Sequence, residues 1–228
     1  MKNKNAESGN IIFFILIAVV LMAYLAFAIM RGDGGSRNNI NKEQLIIYAT
    51  EVEQYGSELA QAVKIVLDTG ISEADISFAH DNAPSEYGTT TGSPPSTQIF
   101  SSYGGQAEYR LPKSDISTAS NWEFYGELQM PQVGSSRADL IAVLPNVTRE
   151  FCDVFNTRQG LDITSTYPAD SVECIYSGIA GNRYDGDFNA TPNNLDLTTF
   201  SAMPALRACV ACIGSSPAYH VYSVIYER

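Results

Sequence analysis

The side chains with chemical potential are few and gather in the C-terminal half of the chain. Asp185, Asp187 and Asn189, followed by Asp196, place oxygen donors at positions 1, 3, 5 and 12 of a twelve-residue stretch. That is the spacing by which a loop wraps a hard cation such as Ca²⁺. Ala190 stands where the sharp-turn glycine belongs, and Asp196 where a longer Glu is usual, so an ordinary polar loop is the competing reading. No cofactor is expected beyond this possible calcium ion. Cys152, Cys174, Cys209 and Cys212 form an even set with three pairings, and two disulfides are expected without the pairing being readable. The C-x-x-C spacing of Cys209 and Cys212 also occurs in redox motifs and in half of a zinc site. No second C-x-x-C and no βαβ pattern accompanies it, so disulfides are preferred.

Only two histidines occur, His80 in a polar loop and His220 in an alternating segment, which leaves little material for histidine-based catalysis or metal binding. No G-x-S-x-G, P-loop or G-x-G-x-x-G is present, and no catalytic residue is assigned; the chain does not read as an enzyme. Asn146-Val-Thr148 and Asn189-Ala-Thr191 match the glycosylation sequon, but the pattern is short, and Asn146 is better used as a helix cap.

The elements that must position these groups are legible by pattern. Residues 41–68 carry Leu45, Ala49, Val52, Gly56, Leu59, Val63 and Val66 at three- and four-residue steps, which predicts an amphipathic helix. Asn41 is its expected cap and Thr69-Gly70 its stop. Residues 81–102 are dominated by Pro, Gly, Ser and Thr and read as a long surface loop that could carry binding specificity. Strands are expected at 106–111, 121–130, 138–144 and 219–226, with Pro112, Pro131 and Pro145 ending the first three. A short helix is expected at 147–158, capped by Asn146 and stopped by Gly160.

Charge is unevenly shared. The 228 residues carry a net −11; residues 1–43 hold 5 cations against 3 anions (+2), and residues 44–228 hold 9 against 22 (−13). Such an acidic body repels nucleic acid. Residues 11–30 are 20 uncharged residues in a row, 13 of them Ile, Leu, Phe or Val. As a helix they would span roughly 30 Å, the thickness of a bilayer core, with an insertion term of roughly −4 to −8 kcal/mol. Residues 31–39, rich in Gly and polar side chains, predict a hinge after this span. Cations flank the span on both sides, so charge does not set its orientation; the short leader and the cysteine-containing body place the N-terminus inside and the body outside. Three fates are open to the span: signal-peptidase cleavage at Ala26-Phe27-Ala28, retention as a plain anchor, or cleavage after Gly9, directly before Asn10 and the apolar run.

A short cationic leader ending in Gly9, followed at once by an apolar helix, resembles the prepilin proteins, the type IV pilins and the pseudopilins of type II secretion. The resemblance covers about residues 5–65. It implies cleavage between Gly9 and Asn10 by a dedicated peptidase, with the retained helix first anchoring the subunit in a bacterial inner membrane and then joining a filament core. Those families usually have Phe at the first mature position and Glu at the fifth, where this chain has Asn10 and Phe14. A minor or initiating subunit can lack that Glu.

The resulting expectation is a leader at 1–10, a transmembrane helix at 11–30, a hinge at 31–40 and an extracytoplasmic α+β domain at 41–228. In that domain an amphipathic helix packs on an antiparallel sheet. The expected role is a pilin-like or pseudopilin-like structural subunit whose partners are membrane lipid and either similar subunits or secretion machinery. The alternative is a membrane-tethered extracytoplasmic binding domain.

Overall fold

The computed structural model describes residues 8–161, 168–170, 174–175, 178–212 and 218–228, with side chains in the first part of the long helix described at 13–25, 27 and from 42 onward. Leader residues 1–7 lie outside the described residues. The chain divides into two units, residues 1–44 and 45–228.

Helix α1 spans Ser8–Asp68. Its bounds include residues 31–40, the stretch expected to be a hinge, and Asn41, the expected cap. Gly34 and Gly35 each cost about 1 kcal/mol relative to Ala inside a helix. The end falls where the sequence places it: Thr69 and Gly70 donate to the carbonyls of Val66 and Leu67. Among the described residues no helix is long and apolar enough to cross a membrane.

The second unit is an α+β body. Strands β1 (Glu123–Gln129) and β2 (Asp139–Val147) are followed by helix α2 (Arg149–Arg158) and by two-residue strands β3 (Ala169–Asp170) and β4 (Asn193–Asn194). The long strands β5 (Arg207–Cys212) and β6 (Ala218–Tyr226) close the chain. The sheet order is β3-β5-β6-β2-β1-β4. Its four central strands are antiparallel, and the two short edge strands pair parallel.

Both faces of this sheet are covered. Leu140, Ala142 and Leu144 of β2, with Val221 and Ile225 of β6, pack with Ala49, Val52, Tyr55, Leu59, Val63 and Val66 of α1 and with Phe151 and Phe155 of α2. The alternate residues Ile141, Val143, Tyr222 and Val224 pack beneath Val133, Leu161, Ile175, Leu195 and Phe200, which come from irregular segments. Alternation along each strand thus divides the apolar residues between a helical layer and a loop layer. At the helical face α1 comes very close: a Cβ on Gly56 would lie 2.6 Å from Ser223 Oγ.

Three expected elements differ. Residues 106–111 are not a strand; two of their amides are taken by α1 side chains, Glu108 N–H by Glu58 Oε1 (3.1 Å) and Arg110 N–H by the Tyr55 hydroxyl (3.3 Å). Pro145 does not end β2, because the register with β6 shifts between Leu144 and Val147 and the proline sits in that irregularity, where no ladder donor is required. Asn146 belongs to the same irregularity with φ 51°, so it does not cap α2. Val147 still pairs with Tyr219, and α2 can start only after it; Thr148 is the cap, its hydroxyl accepting from Phe151 N–H (3.3 Å). Strand β5, unanticipated by pattern, carries the C-x-x-C residues.

Cover at the β5 edge is a side chain. Asn156, fully buried on α2, donates from Nδ2 to Cys209 O (2.8 Å) and accepts from Cys209 N–H (2.7 Å), taking the place of a neighbouring strand. Asn156→Ala removes the partners of both backbone groups of one buried residue, Cys209. At about 1–3 kcal/mol per orphaned group, it should lower unfolding free energy by about 2–5 kcal/mol in urea titrations of the oxidised protein. A loss below 1 kcal/mol would show that the edge needs no such cover.

Candidate functional site

Four features bear on function: the apolar part of α1, the cysteines, the acidic loop and a polar cavity at one end of the sheet. In the first unit every residue from 13 to 25 is exposed. Twelve large apolar side chains between Phe13 and Phe27 are each at least 40% exposed. Because 13 consecutive residues are involved, the apolar surface runs around the whole helix instead of forming one stripe. A helix apolar all round is at rest inside a core or a membrane, not in water. Gly9 and Asn10, the residues flanking the expected cleavage, lie in its first turn.

The four cysteines form two disulfides, Cys152–Cys209 and Cys174–Cys212, each with Cα atoms 5.4 Å apart. Spacing on a strand explains why the C-x-x-C pair does not act as a unit. Residues three apart on β5 point to opposite faces, so Cys209 joins α2 in the helical layer while Cys212 reaches Cys174 in the loop layer. A redox dithiol or a zinc half-site needs both sulfurs on one side.

Asp185, Asp187, Asn189 and Asp196 lie on the covering segments beside β1, and the side chains of three of them make local hydrogen bonds. Asp185 Oδ1 accepts from Asp187 N–H (3.3 Å), Asn189 Oδ1 from Thr191 N–H (2.9 Å), and Asp196 Oδ1 from Thr198 N–H (2.9 Å) and the Thr198 hydroxyl (2.8 Å). These are Asx turns, the ordinary use of such side chains in loops. Hydrogen bonds from Thr198 hold the Asp196 carboxyl below the usual carboxylate range. Among the described residues no group of three or more His, Cys, Asp or Glu converges to hold a metal ion.

The polar cavity has a volume of ≈ 300 Å³, and its walls include Asn121, Glu123, Asn146, Arg183 and His220. Glu123 is its hub. Its Oε1 accepts from Arg183 Nη2 (3.1 Å), and its Oε2 from the Tyr125 hydroxyl (2.7 Å) and Gly178 N–H (2.9 Å). Arg183 also pairs with Glu86 (2.7 Å), which joins the 81–102 segment to the sheet edge. Burying a carboxylate is tolerable only with this degree of pairing. His220 accepts Asn146 N–H at Nδ1 (3.1 Å), and burial pushes its pKa down to about 4. It is a neutral structural acceptor at the strand irregularity. Sequence reading missed Glu123 and Arg183 because they lie 60 residues apart and no local pattern links them.

No family model, curated protein or solved structure matches the chain.

The depressed pKa of His220 has a definite consequence for stability. Its unfolded value is 6.5 and its folded value about 4, so the unfolded chain binds the extra proton first as pH falls. The contribution is fully present above pH 6.5 and is lost progressively toward pH 4, by roughly 3 kcal/mol. The unfolding free energy of the wild type should therefore fall more steeply across that window than that of His220→Gln. Parallel profiles in chemical denaturation would refute the assignment.

Proposed function

We propose that the chain is a membrane-anchored, pilin-like or pseudopilin-like structural subunit of a surface filament or secretion apparatus. The reading rests on one observation above the others: the side chains of residues 13–25 are exposed around the full circumference of a helix and are apolar throughout. Lipid removes that surface from water before assembly. Helix packing in a bundle replaces lipid contacts afterwards, so association relies on fit between helices and not on a new hydrophobic gain.

Three further features support this reading. In the second unit the C-terminal part of α1 supplies the stripe that packs on the sheet, the helix-on-sheet arrangement that the resemblance implies. Where the two-residue edge strands leave β5 and β1 unpaired, other groups take their ladder positions, Asn156 and Pro168 O beside β5 and the Tyr184 and Asn189 amides beside β1, which disfavours strand addition there. Two disulfides fit a body held outside the cytoplasm. Cleavage after Gly9 would leave Asn10 at the start of α1.

Two measurements test the proposal on the full chain. Val20→Arg puts a charge near the middle of the run at about 2.5–3.5 kcal/mol and should lower the fraction retained in alkali-washed membranes. Mass spectrometry of the mature protein should find Asn10 as the first residue. An intact Met1 with membrane retention would favour the tethered binding domain, and a start at Ile29 would mean a released body. Recovery of the uncut wild type in the soluble fraction would end the anchoring account.

A further inference from the structure

The loop segment between residues 77 and 109 builds a second concave surface that the anchoring role does not use. It is ordered without being a sheet: Ile99 N–H donates to Ser77 O (2.9 Å), Gly105 N–H to Gln98 O (3.0 Å) and Ala107 N–H to Ile99 O (3.1 Å). Gln98, itself buried, donates to Thr90 O (2.9 Å) and Ser93 O (2.6 Å) and so fixes the Pro- and Thr-rich arc. Beside this scaffold lies a groove of ≈ 560 Å³, within the range of small-molecule sites.

Its lining is specific in kind. The floor is aromatic: the His80 ring stacks on Tyr109 with centroids 3.6 Å apart, and Phe100 stands edge-on to Tyr109 at 5.2 Å. The rim carries exposed Asp81, Thr90, Gln106 and Glu108. No Lys or Arg lines the groove, and the body around it is strongly acidic, so an anionic ligand is excluded. Carboxylates, an amide and a hydroxyl on the rim are matched by a ligand that offers many hydroxyl donors. A lone ammonium would use the carboxylates and leave the amide and hydroxyl idle.

Tyr103 stands on the adjoining turn, 83% exposed. That turn is pinned, because Cβ atoms on Gly104 and Gly105 would lie 2.2 Å from Gln98 O and 2.6 Å from Ile99 O. The backbone beneath the ring is thus fixed, and a tyrosine, with only two side-chain torsions, loses little entropy on binding. We propose that this groove, with Tyr103 at its margin, binds a neutral, hydroxyl-rich glycan: the rim hydrogen-bonds vicinal hydroxyls and the aromatic rings cover the apolar C–H face of a sugar.

The test uses full-length protein in detergent micelles on an array of neutral, amino-substituted and sialylated oligosaccharides, with a lysine-rich peptide as a separate probe. Neutral oligosaccharides should be retained in preference to sialylated ones. Tyr103→Ala and Asp81→Asn should each weaken that binding by about tenfold or more, with an unchanged circular dichroism spectrum and melting temperature. The inference is overturned if no neutral oligosaccharide binds above the Tyr103→Ala background, if the variants bind as well as the wild type, or if only the lysine-rich peptide is retained. Membrane retention does not enter this readout, so the two proposals fail separately.

Discussion

The close approach of α1 to β6 is the constraint from which the rest of the body follows. At Gly56 there is no room for a side chain, and Ser223 opposite is a small residue whose hydroxyl is buried without a hydrogen-bond partner in the structure. The apposition leaves one polar group unsatisfied, yet it lets the apolar stripe from Ala49 to Val66 lie flat against the sheet. A bulkier residue at either position would lift the helix and open the packing around Leu59 and Val63, and interior packing tolerates such voids poorly. Acidic side chains flanking that stripe then tie the helix down: Glu53 pairs with Arg158 (2.9 Å), Glu58 with Arg110 (2.5 Å), and Glu51 with Lys113. Exposed pairs of this kind are worth about 0–1 kcal/mol each, so they set the helix's position more than its stability.

With the helix seated, the opposite face of the sheet still has to be covered, and no second long helix is available for it among the described residues. The loops from 130 to 133 and 195 to 205 do this work, supplying Met130, Val133, Leu195, Phe200 and Ala205. Irregular backbone buried over a sheet needs fixing, and the disulfides divide that task between the layers. Cys152–Cys209 locks α2 to β5 in the helical layer, while Cys174–Cys212 fastens the loop layer to the end of the same strand. A bridge typically contributes about 2–4 kcal/mol, mainly by restricting the unfolded chain.

Polar groups complete the edges in the same economical way. Asn156 stands in for a strand beside β5, and the Glu86–Arg183–Glu123 chain joins the loop segment to the sheet at the β1 edge. Together they cover ladder groups beside β5 and β1, while the apolar side chains of α1 between Phe13 and Phe27 stay exposed. The groove lined by His80, Phe100 and Tyr109 and the exposed run of α1 are thus separate surfaces, one polar and aromatic, the other apolar.

Much of this was legible in the residues themselves. Periodicity marks the stripe of α1 from Leu45 to Val66, and alternation marks β1, β2 and β6, because each pattern reports how one element presents itself to its own surroundings. The 20-residue apolar run and the even cysteine set are likewise local facts. The chain pattern misplaced the start of α2 and invented a strand at 106–111, since Asn146 and the amides of Glu108 and Arg110 found partners far away in sequence. Which cysteines pair, that Asn156 completes an edge, and that Glu123 meets Arg183 were decided only by folding. The reason is geometric: a strand sends residues three apart to opposite faces, and a contact between positions 60 or 150 apart leaves no trace in the local order of side chains.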